Sequence, residues 1–446
     1  MVNQRDAKYE KMTTQPVGRL VCEMAVPSMV CMLATGFYNV VDTFFVGKID
    51  TQSTAALGIV FVYMTLLQAI SFFLGQGSGI FISNALGARK FKESEAMAAT
   101  GFFSAIILTT FMAICGFLFM DPLLRFFGST ETILPVARPY FGYILLCTPF
   151  MSGVFVMNNQ MRLQGNATLS MIGILSGVVL NIALDPLFIF SFKMGVAGAG
   201  LATAISQFIS FWIMFAIIGR NGGIHIRLRL FKPTLEQFRE IVAGGLPSLV
   251  RQSLISVVSL CVNNLAAGYG DAAVAAFSVV NRVMALVMAA LLGFGQGFQP
   301  VCGFNYGAGL YARVRKAFNF SVVVATAYCV VISLLGILFA TGIITLFRAE
   351  DADVIDIGAQ VLRYQCYTFP LVGFVVIANM YLQNIRKTVS ATLVAIGRHG
   401  LFFIPLLYWG TWIFGMFGMI IAQPIADVFS IAMAAILCGR ALRKMP

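Results

Sequence analysis

Apolar runs of about twenty residues recur from one end of this 446-residue chain to the other, long enough as α-helices to cross the hydrocarbon of a bilayer. In lipid every backbone polar group needs an internal partner, so such runs become spanning helices and little else. The rest of the chain agrees, with 59% hydrophobic residues, 11% charged, 41 Phe and 22 Met. The reading is an all-α polytopic membrane protein of about twelve transmembrane helices, beginning near residues 20, 54, 96, 133, 168, 196, 240, 272, 316, 357, 388 and 415. No small-residue cleavage site follows the first apolar run, so it is expected to stay as a helix and not to leave as a signal peptide.

The basic residues give the topology. With a cytoplasmic N-terminus, 21 of the 30 Lys and Arg fall on the cytoplasmic side, among them Arg89, Lys90, Lys92, Arg227, Arg229, Lys232, Arg313, Arg315 and Lys316. Six fall outside: Lys48, Arg125, Arg138, Lys193, Arg348 and Arg363. This asymmetry predicts a multi-pass protein of the cell (plasma or inner) membrane with both termini cytoplasmic. A net charge of +12 spread over short loops serves topology and forms no nucleic-acid surface, so no nucleic-acid partner is expected. The nine cysteines include no CxxC pair and lie mostly in apolar runs, as small hydrophobes do, so neither a disulfide framework nor a metal cluster is expected.

The longest polar connection, from Arg220 to Arg239, divides the chain almost in half. Its Lys232-Pro233-Thr234-Leu235-Glu236 segment, proline-led with an acid in the first turn, predicts a short helix on the membrane surface. Adding 220 to a residue number aligns the two sides: Pro27-Ser28 with Pro247-Ser248, Gly75-Gln76-Gly77 with Gly295-Gln296-Gly297, Gly87 with Gly307, and Gly195 and Gly198 with Gly415 and Gly418. One ungapped register carrying that many matches indicates an internal duplication. Six spans per copy make the repeats parallel, so the expected architecture is an N-lobe (1–219), a cytoplasmic linker (220–239) and a C-lobe (240–446) around a central cavity.

The stretch from Ser176 to Pro186 sets a carboxylate inside a run otherwise fit for hydrocarbon. Asn181 and Asp185, four residues apart, share a helix face, and Pro186 has no N–H for the Ile182 carbonyl. A lone Asp at mid-membrane costs about 2.5–3.5 kcal/mol, and such residues mark ion or substrate paths. Asp42 and Thr203 are expected at the same depth from two other helices. The duplication sharpens the contrast, since Asp42 aligns with Val262 and Asp185 with Pro405. Two carboxylates in one apolar pocket need a proton or a cation to neutralise them, which is the chemistry of an ion-coupled switch. Pro27 and Pro186 would let the helices that carry them bend.

With these residues in place, the chain resembles the multidrug and toxic compound extrusion (MATE) transporters, of the branch related to the DNA-damage-inducible F protein. The resemblance runs through nearly the whole chain, on Val26-Pro27-Ser28, Tyr38-Asn39-Val40-Val41-Asp42, Gly75-Gln76-Gly77, Asn181-x-x-x-Asp185-Pro186 and Gly245-Leu246-Pro247. It implies a two-lobe antiporter that alternates between outward-open and inward-open states. Such a protein expels amphipathic, often cationic, compounds against a proton or sodium gradient. It also implies that the coupling ion, H+ or Na+, binds at Asp42, Asn181, Asp185 and Thr203. No further cofactor is expected; the partners are small amphipathic molecules and the bilayer, and the working form is a monomer. A second, C-lobe sodium site found in a related branch lacks its acids here, because residues 247–264 and 364–383 contain no Asp or Glu.

Tyr38, Asn39, Gln76, Gln207, Arg282, Gln296 and Arg398 stand as candidate residues of the substrate cavity. Arg251, Arg282 and Arg398, which fall within apolar spans, are also expected to pair structurally, for instance with Asp427 or with helix carbonyls, and His399 beside Arg398 to be a packed polar histidine. A flippase for a lipid-linked precursor is the alternative function, with the basic C-lobe facing an anionic head group. The major-facilitator signature needs an acid before its bases, which Gly87-Ala88-Arg89-Lys90-Phe91-Lys92 lacks. An enzyme is not expected: there is no HExxH and no GxSxG, and no GxxxxGK[ST] occurs that would support ATP-driven pumping.

Overall fold

Twelve helices among the described residues of the computed structural model are long and apolar enough to cross a membrane, and no strand is present among those residues. The description covers residues 2–220, 223–347 and 351–445, without the side chains of Val2, Asn3 and Asn39. Arg348 and the Asn39 side chain, both used above, therefore lie outside the described residues. The chain divides into two compact units, Met1–Gln15 with Val26–Gly245, and Pro16–Ala25 with Leu246–Pro446.

The first unit holds α1 (Val2–Thr14), most of α2 (Val17–Gly47), α3 (Thr51–Gly87), α4 (Phe91–Leu118), a short α5 (Met120–Phe126), α6 (Leu134–Leu163), α7 (Ala167–Pro186) and α8 (Val196–Ile217). Helix α6 is its hub, packing against α3, α4, α7 and α8. Apolar residues all round α6 suit that place. Its Tyr140, Phe141, Ile144 and Leu145 are buried with Tyr63 and Leu67 of α3 in one core.

The second unit holds most of α9 (Leu235–Ala267), then α10 (Asp271–Gly307), α11 (Tyr311–Phe347), α12 (Ala352–Asn384), α13 (Thr388–Ile396), α14 (Phe403–Phe414) and α15 (Met416–Arg443). Here α12 takes the central place, against α10, α11 and α15. It is the copy of α6 in the 220-residue register.

The glycines of that register serve the same purpose in both units. A side chain on Gly77 would run into the backbone of Ile241, and one on Gly297 into the backbone of Ala25. Gly195 and Gly415 both sit just before a helix with φ of 59°, where a side chain would be strained, and their ψ values are −139° and −138°. Repeated dihedrals of this kind are what a duplicated turn should show.

The connection before α9 corrects one expectation. No separate surface helix forms around Lys232–Glu236. A single 3-10 turn spans Leu228–Leu230, and α9 then runs unbroken from Leu235 into its membrane span. Between Leu235 and Ala243 there is neither glycine nor proline to stop it. The entry is fixed on the first unit, where the Ile224 N–H donates to Gln164 Oε1 (2.9 Å) and the Lys232 N–H to Thr100 Oγ1 (3.3 Å).

Helix α1 was not expected from apolar patterning, since its face is held by only a few contacts. Arg5 pairs with Glu95 at 2.7 Å, the Arg89 guanidinium lies 4.2 Å from the Tyr9 ring centre, and Met12 is buried against Gly165. Lys8 has a buried Nζ with no hydrogen-bond partner among the described residues. Burial, helped by the neighbouring Arg5 and Lys11 charges, pulls its ammonium down to about 7. The docked helix thus holds fewer protons than a free one, whose lysine titrates near 10.4, so docking should tighten as pH rises from about 7 towards 10. Hydrogen exchange over residues 4–14 should be slower at pH 9 than at pH 7 once corrected for the intrinsic rate. Lys8→Met should remove that difference; a difference that survives Lys8→Met assigns it to another group.

Candidate functional site

Helix α7 ends at Pro186, and the chain continues as one π-turn, Leu187–Ser191. Proline removes an N–H from the helical ladder, and a π-turn is a local way of absorbing that loss. Asp185 is the last acidic residue before this break and is fully buried, at 0% exposure. Asn181 lies one turn earlier on the same buried face, and its Nδ2 donates to Thr203 Oγ1 of α8 at 3.3 Å.

Thr203 also shares a 3.4 Å hydrogen bond with the Tyr38 hydroxyl of α2. Asp42 follows Tyr38 by one helical turn and is 6% exposed. The Asp42 and Asp185 carboxyls lie within electrostatic reach of one another and of the Tyr38 and Tyr140 hydroxyls. Three helices therefore bring oxygens to one place, and the buried Tyr140 of α6 packs against Gly200, about one turn before Thr203 on α8.

Small residues let the helices meet. The Gly177 position lies against Ser210, the Ser210 hydroxyl donates to the Gly173 carbonyl at 2.7 Å, and Gly200 lies against the Tyr140 ring. In a membrane, where lipid is as apolar as leucine, such close contacts and interhelical hydrogen bonds supply much of the association.

What distinguishes the site is an excess of acceptors. Asp42 Oδ1, both carboxylate oxygens of Asp185, and Asn181 Oδ1 are buried with no hydrogen-bond partner among the described residues. Neither carboxylate has a basic partner there, unlike the paired acids elsewhere in the chain. Holding two unpaired negative charges in so dry a place costs several kcal/mol per ion. The arrangement can therefore take up a proton or a small hard cation, for which oxygen ligands of this kind are suited.

A partly open recess lies in the same unit, lined by Tyr38, Gln207, Met64, Gln68, Phe155 and Val178 among others. Tyr38 thus belongs both to this cavity and to the carboxylate site. Gln207 brings a further orphaned acceptor, since its buried Oε1 has no partner among the described residues.

Of the residues singled out in the sequence, Asp42, Asn181, Asp185 and Thr203 come together, with Tyr38 alongside. Gln76 is buried on α3 away from the cavity lining, between glycines that make close helix contacts. Arg282, Gln296 and Arg398 belong to the second unit, where Arg282 is exposed and Gln296 buried. Arg398 donates from Nε to Asp427 Oδ1 at 2.9 Å, and Gln423 and Thr368 donate to the same carboxylate at 3.0 and 3.3 Å. Tyr140 is the site residue that sequence reasoning missed. It stands among ordinary core residues of α6, and no spacing links it to Asp42.

A family model described as MatE matches residues 27–187 and 247–409, two stretches that begin at the duplicated prolines. The chain is 26% identical over 445 residues to the multidrug export protein MepA of Staphylococcus aureus strain MSSA476, covering 98% of this chain and 97% of that protein. It is 28% identical over 426 residues to MepA of Staphylococcus saprophyticus, covering 94% and 92%. Its fold matches a Vibrio cholerae MATE transporter, VcmN, solved in a bent form, with a TM-score of 0.88, 22% identity and coverage of 96% and 98%.

Proposed function

The chain belongs to the MatE family, and from that premise we propose that it is a multidrug exporter that expels amphipathic, largely cationic compounds in exchange for protons or sodium ions. The observation that carries the coupling is the buried pair Asp42 and Asp185, whose acceptor oxygens have no internal donor to satisfy them. Support for the cargo comes from the named activity of the MepA relatives and from a cavity in which Phe, Met and Gln side chains surround Tyr38. Such a lining suits varied aromatic ligands, because methionine repacks readily and aromatic faces attract cations.

In this reading the coupling ion is a substrate, held by Asp42, Asn181, Asp185 and Thr203. Binding it removes one of the pair's two negative charges and with it their mutual repulsion, and so favours whichever conformation buries the site more completely. Tyr38, hydrogen-bonded to Thr203 and facing the cavity, links the state of the carboxylates to the space available for cargo. Alternation between outward-open and inward-open states follows when ion and cargo prefer opposite conformations.

Reconstituted into vesicles with separately imposed pH and sodium gradients, the protein should move a cationic dye such as ethidium only when one gradient is present. Dye movement that ignores both gradients would refute coupling. The asymmetry of the basic residues supports a cytoplasmic position for both termini and the 220–239 connection, at the cell membrane. A cysteine put at Lys232 should then escape an impermeant thiol reagent applied to intact cells.

A further inference from the structure

The turn between α3 and α4 has the same backbone pattern as its copy between α10 and α11. The Arg89 and Lys90 N–H groups donate to the Leu86 and Ala85 carbonyls at 3.1 and 2.8 Å, and those of Gly309 and Leu310 to the Tyr306 and Asn305 carbonyls at 3.1 and 2.9 Å. In the second unit the left-handed position of the turn, with φ of 72°, is filled by Gly309, which adopts it freely. In the first unit Arg89 holds that position at φ of 59°, where a side chain is strained. Glycine would build the turn at lower cost, so an arginine kept there points to a use for its side chain.

Arg89 lines a second, open recess together with Arg5, Lys90, Lys92, Glu93 and Glu95. Both acids are already engaged, since Arg5 donates to Glu95 at 2.7 Å and Lys90 to Glu93 at 3.0 Å. Arg89 and Lys92 are exposed and have no acidic partner among the described residues, so the recess carries two positive charges in excess. The copy of this turn has Gly309, Leu310 and Ala312 where the first unit has Arg89, Lys90 and Lys92. The Arg89 guanidinium rests on the Tyr9 ring of α1, 4.2 Å from its centre, and the Arg5 guanidinium lies 5.4 Å from the centre of the Phe91 ring. Stacking holds a guanidinium by its face and leaves the in-plane fork open for two parallel hydrogen bonds to one oxyanion. Helices α3 and α4 are both candidate membrane spans, so the turn that joins them lies at the level of the lipid head groups.

We propose that Arg89 and Lys92, with Arg5 beside them, form a site for the phosphate of an acidic phospholipid, and that the bound head group ties α1 to the α3–α4 turn. Inorganic phosphate offers the same oxyanion. The lipid is the better occupant because the bilayer holds its head group at this level, at high effective concentration. The site does not depend on the export reading.

The probe is phosphatidylglycerol, and the control is phosphatidylcholine, which has the same phosphate but no net charge. Purified full-length protein, stripped of lipid in a non-ionic detergent, is given both in equal amounts, and the bound lipids are counted by native mass spectrometry. The wild type should retain phosphatidylglycerol in preference. Arg89→Gly should lower the ratio of phosphatidylglycerol to phosphatidylcholine by about fivefold or more, the scale on which one basic residue acts at an acidic lipid surface. Arg89→Lys, which keeps the charge but loses the fork, should lower it less. Lys92→Gln, at an exposed position outside the strained turn, should lower it too, and carries the same test should Arg89→Gly fold poorly. Arg229→Gln, which removes one charge from the exposed connection before α9, should leave the ratio unchanged. No preference in the wild type, an unchanged ratio in Arg89→Gly and Lys92→Gln, or an equal fall in Arg229→Gln overturns the site. Release of phosphatidylglycerol by inorganic phosphate, but not by chloride at equal ionic strength, would assign the recess to free phosphate and overturn the lipid assignment.

Discussion

Asp42→Asn and Asp185→Asn should each reduce gradient-driven dye export in vesicles to the rate of protein-free controls, with the protein still folded and inserted. Both carboxylates are buried, neither has a cationic partner among the described residues, and each stands within electrostatic reach of the other. With one carboxylate gone, a single proton makes the site neutral and the mutual repulsion that makes uptake favourable disappears. An ion drives a conformational change only through its difference in affinity for the two states, so a site without that difference transmits nothing. The double variant should therefore be no worse than either single one, the non-additivity expected of residues that act as one unit.

Asn181→Ala and Thr203→Ala should slow export less, because each removes a neutral oxygen and leaves both charges in place. Export by Asp185→Asn at the wild-type rate under either gradient would move the coupling site elsewhere. Asp427 would then be the next buried carboxylate to test, but its three hydrogen-bond donors make it the poorer ion acceptor.

Much of this site was legible in the sequence because its signals are local or periodic. A carboxylate in an apolar run is visible without any structure, and the four-residue spacing of Asn181 and Asp185 places them on one face. The offset of 220 was carried by glycines whose role is now plain: Gly77 and Gly297 meet backbone, and Gly195 and Gly415 hold a positive φ. Tyr140 escaped because its nearness to Asp42 depends on how α6 packs across the unit, which no local pattern records. Helix α1 escaped for the opposite reason: it is polar, so a search for apolar runs passes over it. The surface helix expected before α9 was a fair reading of a proline-led start, but nothing downstream ends that helix before the membrane does.

The buried pair Arg398–Asp427 should give the largest effects on stability, and the two partners should not be equivalent. Asp427→Leu leaves a guanidinium that is 9% exposed with no counter-ion, which by analogy with other broken buried pairs costs about 3–5 kcal/mol. Arg398→Met leaves the Asp427 carboxylate with its Gln423 and Thr368 donors at 3.0 and 3.3 Å, so part of its charge stays solvated by protein dipoles and the loss should be smaller. Replacing both, as Arg398→Met with Asp427→Leu, removes the desolvation penalty together with the attraction, and stability should return to near the wild-type value. Thermal unfolding of the purified proteins in one detergent, followed by intrinsic tryptophan fluorescence, gives the ranking. The expected order of stability is wild type and double variant together, then Arg398→Met, then Asp427→Leu. A double variant as unstable as Asp427→Leu would mean that the π-turn Gly397–Leu401, which carries Arg398, needs the ion pair itself to hold its place between α9 and α15, and that the pair is a requirement of the fold and not a replaceable contact.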